Sequence, residues 1–296
     1  MLELLDSNTP VLIQGISGRM GRLHTGLMRQ YGTNIVAGVS MRGQDGDVDG
    51  IPVYPSCSAA QQHRPFASVV MVPPLRVMQA VEDAIDAGIR LIVTVAEGIP
   101  VHDALRIRQM TADAGVSWIG PSTPGLCIPG KMKLGFLPDV SIAPGPLGVM
   151  SKSGTLSYEV CYRLSQAGVG QSAWVGVGGD PVKGTRFSDM APELTALSAT
   201  RALLLIGEVG GDEEEEFAHS LQARGSDIPV YALIAGKQAK EGVSMGHAGA
   251  LVMGGKGSIV SKHEALKKAG VEVHQTMHEL VAAIAGRLGT GPTAHT

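Results

Sequence analysis

Strand-length apolar runs separated by amphipathic stretches recur along almost the entire chain, and that rhythm narrows the fold more than any motif does. In the first half the runs lie at 10–15, 34–40, 67–73, 90–98 and 116–121, with helical patterns such as 19–31 between them. In the second half they lie at 147–151, 172–179, 202–211, 230–236 and 271–275. The runs are apolar nearly throughout rather than at alternate positions, which calls for parallel sheets covered on both faces. A Pro/Gly-rich passage at 120–146 interrupts the rhythm and reads as a connection. The expected architecture is two doubly wound α/β domains, 1–122 and 147–288, with a connecting segment at 123–146 and a disordered tail at 289–296. The acidic run at 212–216 reads as the solvated start of a helix, with Asp212 at or near its N-cap.

Composition closes off several classes of function. A net charge of −3 without a basic block gives no footprint for nucleic acid. No apolar run approaches the roughly 20 residues of a membrane span, and MLELLDSNTP lacks the basic start and apolar core of a signal peptide. Cys57, Cys127 and Cys161 have no metal-ligand spacing, and an odd number leaves one thiol over in any disulfide scheme. A protein of the reducing cytoplasm is the simplest reading.

Two sets of strand ends carry candidate chemistry. QGISGRMGRL places Gly15, Gly18 and Gly21 after the first strand and at a helix start, where backbone N–H groups and the helix dipole can hold a pyrophosphate. Nicotinamide dinucleotide sites put an acid about 20 residues further on. This chain offers Ser40 and Arg42 instead, so NAD is disfavoured while NADP and CoA both stay open. Glu97 follows the fourth strand, at the edge where ligands of open sheets sit.

In the second half, Ser153, Gly154 and Thr155 form a small turn between strand and helix, able to cap the helix or to receive a phosphoryl group. Glu208 ends a strand between glycines, and His247 stands among small residues in GHAGAL, with room around its ring. A carboxylate beside that histidine would orient it. GGKGS lacks the preceding glycine spacing of a P-loop and is rejected as one.

QGISGRMG, TVAEGIP, GPSTPG, MSKSGTLSYE, VGVGGDP, IGEVGG and MGHAGA occur together in an order that resembles the α subunit of succinyl-CoA synthetase (succinate–CoA ligase), with malate–CoA and citrate–CoA ligases as relatives. The resemblance implies a Rossmann-like CoA-binding domain followed by a flavodoxin-like ligase domain. It implies CoA contacts at Ser17, Gly18, Arg19 and Met20 and around Val95, Ala96 and Glu97. It implies a phosphorylated His247 steadied by Glu208, a phosphate turn at Ser153, Gly154 and Thr155, and Tyr158 on the substrate side. ATP or GTP with Mg2+ would be held mainly by an ATP-grasp β subunit, in an αβ or α2β2 complex. Two departures stand out: SMRGQDG replaces a lysine-bearing loop, leaving Arg42 to take over a phosphate contact, and Ser122 replaces an asparagine. Succinate is the first expectation for the acid, with malate, citrate and other di- or tricarboxylates as alternatives. The opening also resembles dihydrodipicolinate reductase, an NADPH enzyme whose later His-His motif is absent here. A CoA-sensing module without a phosphorylatable histidine is the non-enzymatic rival.

Overall fold

A computed structural model describes residues 1–40, 46–236, 246–247, 249–250 and 257–289. Arg42 and the expected tail from residue 290 onward lie outside the described residues. The chain divides into two compact units, the first chiefly Glu3–Phe136 with Val182–Thr185, the second chiefly Leu137–Pro181 with Arg186–Thr296.

The first unit contains strands β1 (Val11–Gln14), β2 (Ile35–Val39), β3 (Gly46–Val48), β4 (Ile51–Tyr54), β5 (Ala67–Val70), β6 (Leu91–Thr94), β7 (Ser117–Ile119), β8 (Gly125–Ile128) and β9 (Met132–Gly135). Its helices are α1 (Arg19–Tyr31), α2 (Val77–Asp86) and α3 (Val101–Asp113). One sheet runs β3-β4-β2-β1-β5-β6-β7, parallel except for β3 against β4. Counting only the parallel strands, the order is the Rossmann 3-2-1-4-5-6. Every residue of β1, β5 and β6 is buried, as a doubly covered sheet demands. On α2 the buried positions Val77, Ala80, Val81 and Ala84 form one helical stripe. That stripe packs into a core with Leu12, Val70, Ile92, Ile107 and Trp118. Each large aliphatic side chain there contributes about 1.5–3 kcal/mol by leaving water.

The second unit contains β10 (Pro144–Ser151), α4 (Gly154–Gln166), β11 (Gln171–Gly176), α5 (Phe187–Ala196), β12 (Ala202–Glu208), α6 (Glu213–Arg224), β13 (Val230–Ala235), α7 (Ile259–Lys268), β14 (Glu272–His274) and α8 (Met277–Leu288). These strands are parallel and ordered β14-β13-β12-β10-β11, the flavodoxin arrangement. Both expected α/β topologies are therefore present. Cys57, Cys127 and Cys161 are all buried free thiols, and burial raises Cys57 and Cys161 far above the usual thiol range. Among the described residues no helix is long and apolar enough to cross a membrane.

Two expectations need correction. The passage at 123–146 is not a plain connection: it holds the antiparallel hairpin β8–β9 and the first residues of β10. Gly125 and Gly135 face each other across that hairpin, and a side chain at either would overlap the opposite backbone. The acidic run is not solvated as a whole, because Glu213 is 4% and Glu214 0% exposed. Lys152 and Lys262 reach in from other elements to neutralise them.

Candidate active site

In the first unit, α1 starts directly behind β1, next to β5, where the strand order reverses. Gly15 has φ +84°, and an added Cβ would stand 2.9 Å from the Met71 carbonyl oxygen. A Cβ on Gly21 would overlap the Gly15 carbonyl oxygen, so the helix can sit this close to the turn only with glycine there. Gly18 is the extended N-cap of α1, and Gly18, Arg19 and Met20 are exposed. No acid occupies the first turn of α1, which leaves its positive dipole end uncompensated. Ser17 Oγ lies 2.7 Å from Ser40 Oγ, tying the loop to the residue after β2. At the same sheet edge, Val95 and Ala96 are half-buried and Glu97 is exposed. The Ser122 N–H donates to the Ala96 carbonyl oxygen at 2.9 Å. Ser122 itself stands at φ 54°, a left-handed conformation that costs a non-glycine residue about 1–2 kcal/mol. The structure thus joins Ser122 to the Val95–Glu97 loop.

In the second unit, the carboxyl ends of β10, β11 and β12 are neighbours, with the flavodoxin switch point between β10 and β12. Ser153 is the N-cap of α4, its Oγ accepting the Leu156 N–H at 3.3 Å. The Ser151 hydroxyl donates to the Ser153 carbonyl oxygen at 2.8 Å and accepts the Ser153 N–H at 3.1 Å. Gly154 and Thr155 form the first turn, free of acidic side chains. Tyr158 stacks edge-on against Trp174 with centroids 5.8 Å apart, and burial raises its hydroxyl above the usual tyrosine range.

Glu208 is the last residue of β12, and its Oε2 lies 2.7 Å from His247 Nδ1. A carboxylate only accepts, so this contact places the ring proton on Nδ1 and the lone pair on Nε2. The ring lies flat against Gly179 in the turn after β11: a Cβ there would fall 2.5 Å from His247 Cγ. Gly249 closes over the same turn, 2.9 Å from the Gly179 carbonyl oxygen if it carried a Cβ.

Behind Glu208 stands a buried charge cluster. Lys152 Nζ lies 2.9 Å from Glu214 Oε1 and 3.4 Å from Glu213 Oε2. Lys262 Nζ pairs closely with Glu214 Oε2 and, at 3.0 Å, with Glu215 Oε2. Burial opposes the charge of Glu214, yet Lys152 and Lys262 hold its carboxyl well below the ordinary range. Burial likewise opposes the charge of Lys152, and Glu214 and Glu213 outweigh it, raising the ammonium above the usual lysine range. Gly179, Gly207, Glu214 and Lys262 were not singled out from sequence. The local hints were the glycine pair in VGVGGDP, the glycine before Glu208 in IGEVGG, the acidic run at 212–216 and the lysine inside MSKSGT.

A family model described as CoA binding domain matches residues 6–98, and one described as CoA-ligase matches 150–272. An α subunit of ADP-forming succinate–CoA ligase from Archaeoglobus fulgidus is 42% identical over 286 residues, covering 96% of this chain and 99% of its own. An ADP-forming sulfoacetate–CoA ligase subunit from Bilophila wadsworthia is 39% identical, with 98% and 100% covered. Among solved structures, ATP citrate lyase from Methanothrix soehngenii, in complex with citrate and coenzyme A, has a TM-score of 0.84 at 22% identity. That match covers 96% of this chain and half of the lyase chain, and it is a likeness of fold.

Proposed function

Because the chain belongs to the family of succinate–CoA ligase α subunits, we propose that it forms acyl-CoA thioesters through a phosphorylated His247. The observation that carries this reading is the 2.7 Å pairing of Glu208 with His247 Nδ1, at the carboxyl edge of the second sheet. Nε2 attacks the γ-phosphorus of ATP, and ADP leaves. Glu208 holds the Nδ1 proton and balances the positive charge that the ring gains. The phosphoryl group then passes to a carboxylate oxygen of the acid, giving an acyl phosphate and restoring the histidine. CoA thiolate attacks the acyl carbon and phosphate departs. The N-terminus of α4 at Ser153, Gly154 and Thr155 receives phosphate charge, and Tyr158 borders the acid.

CoA is held by the first unit through Ser17, Gly18, Arg19 and Met20 and the Val95–Glu97 loop, with Arg42 on a CoA phosphate. The exposed, acid-free start of α1 supports this assignment. The nucleotide, with its Mg2+, belongs to an ATP-grasp β subunit, since the relatives are named as α subunits of ADP-forming ligases. Three buried free thiols support a cytoplasmic setting. Succinate is the first choice of acid. Sulfoacetate is the second, because ligases named for it are 39% and 40% identical to this chain.

The test is to incubate the αβ complex with γ-labelled ATP. The expected label sits on this chain, is lost in acid and stable in base, and disappears in His247→Asn. Label that persists in His247→Asn overturns the assignment. Thioester formation across succinate, sulfoacetate, malate and citrate then identifies the acid.

A further inference from the structure

Glu214 is fully buried, yet it belongs to none of the groups that the reaction consumes. Its Oε1 accepts the backbone N–H of Glu208 at 3.1 Å. That approach needs Gly207, whose added Cβ would lie 2.5 Å from the same oxygen. The carboxylate also takes both lysine ammoniums, one from the turn that opens α4 and one from α7. Lys262 in turn donates to the Gly211 carbonyl oxygen at 3.1 Å, fixing the loop that follows Glu208. One buried carboxylate therefore joins the phosphate turn, the end of β12, and the starts of α6 and α7.

Lys152 matters for a second reason. It senses the charge of Glu208 as well as those of Glu213 and Glu214. Without Glu214, Lys152 would keep only Glu213, at 3.4 Å, and Glu208 is the next carboxylate whose charge it feels and could draw toward it. A Glu208 drawn to Lys152 is a Glu208 lost to His247.

We infer that Glu214 is a positioning residue for phosphoryl transfer: it occupies Lys152 and anchors the Glu208 amide, so that the Glu208 carboxylate stays on His247. This inference rests on the phosphohistidine reading above. A purely structural role ties the labelling rate to the stability of the second unit, whereas this one slows labelling in a complex that stays folded and keeps its CoA KM. Removing the Lys152 charge as well as the Glu214 charge takes away the competing ammonium and frees Glu208 to return to the histidine.

The experiment is rapid-quench labelling of the whole αβ complex with γ-labelled ATP, alongside the KM for CoA. Glu214→Gln is expected to slow label incorporation by on the order of 10²-fold, the scale of a misplaced reacting group, with the CoA KM unchanged. The double variant Lys152→Met, Glu214→Gln is expected to recover about tenfold of that loss. If Glu214→Gln does not fold, Gly207→Ala is read in its place, since its methyl pushes the carboxylate off the Glu208 amide with every charge retained; it too is expected to label slowly. Labelling of Glu214→Gln or Gly207→Ala at the wild-type rate, or a double variant no faster than the single, overturns the inference. A wild-type complex that takes no label, or a His247→Asn complex that does, overturns the phosphohistidine reading instead.

Discussion

The two units place their sites at the same kind of position, a switch point at the carboxyl edge of a parallel sheet, but build them from opposite materials. The first relies on what is missing: Gly15 and Gly21 lack side chains so that backbone can approach backbone, and the first turn of α1 carries no acid. The second relies on charge that has been buried: Lys152, Glu213, Glu214 and Lys262 are each at most 5% exposed. A backbone cradle suits a ligand that is only held. In the proposed reaction the histidine must point one way through successive phosphoryl transfers, which needs a carboxylate of fixed position, and a buried ionic frame supplies one.

The comparison breaks most readily at the frame. Lys152→Met leaves two buried carboxylates short of a partner, and the second unit should lose about 3–5 kcal/mol. Trp174 fluorescence during denaturation, in a Trp118→Phe background, reads that loss. The frame also has an acid limit. The folded carboxyl of Glu214 is depressed to about 2, because Lys152 and Lys262 outweigh the opposing effect of its burial. Its stabilisation is thus complete above the unfolded carboxylate value of about 4.3 and is lost as pH falls toward 2. Between those values the wild type should lose stability more steeply than Glu214→Gln.

Gly15→Ala tests the other unit. Forcing a methyl into φ +84° against the Met71 carbonyl should cost about 1–3 kcal/mol and raise the KM for CoA, with histidine labelling unchanged. Ser153→Ala removes only the cap of α4 and should cost about 1 kcal/mol, read again at Trp174. Smallest of all, Arg163→Ala breaks the exposed Glu159–Arg163 pair one turn apart and should cost about 0.3–0.5 kcal/mol. A loss there as large as that at Lys152 would mean that burial is not what distinguishes the frame.

What could be read from the sequence follows the same division. Apolar runs and glycine turns are local signals, so most strands of both sheets, α1 and the glycine loop were legible, while the short strands β3 and β4 were not read. The pairing of Glu208 with His247 spans 39 residues and came from family resemblance rather than from spacing. The frame was not legible. Glu214 meets Lys152 across 62 residues and Lys262 across 48, and a run of four glutamates at a helix start looks the same whether water or lysine neutralises it. The hairpin β8–β9 was missed because its strands are four residues each and lie within a Pro/Gly-rich passage.

The buried thiols turn this contrast into something that can be timed. Cys57 and Cys127 lie in the first unit and Cys161 in the second, all out of reach of a thiol reagent while the chain is closed. Alkylation must wait for the surrounding structure to open. Mass spectrometry of peptides alkylated over hours would therefore give each unit its own clock, without a label or a substitution. CoA should slow the first clock by mass action, and histidine phosphorylation should slow the second.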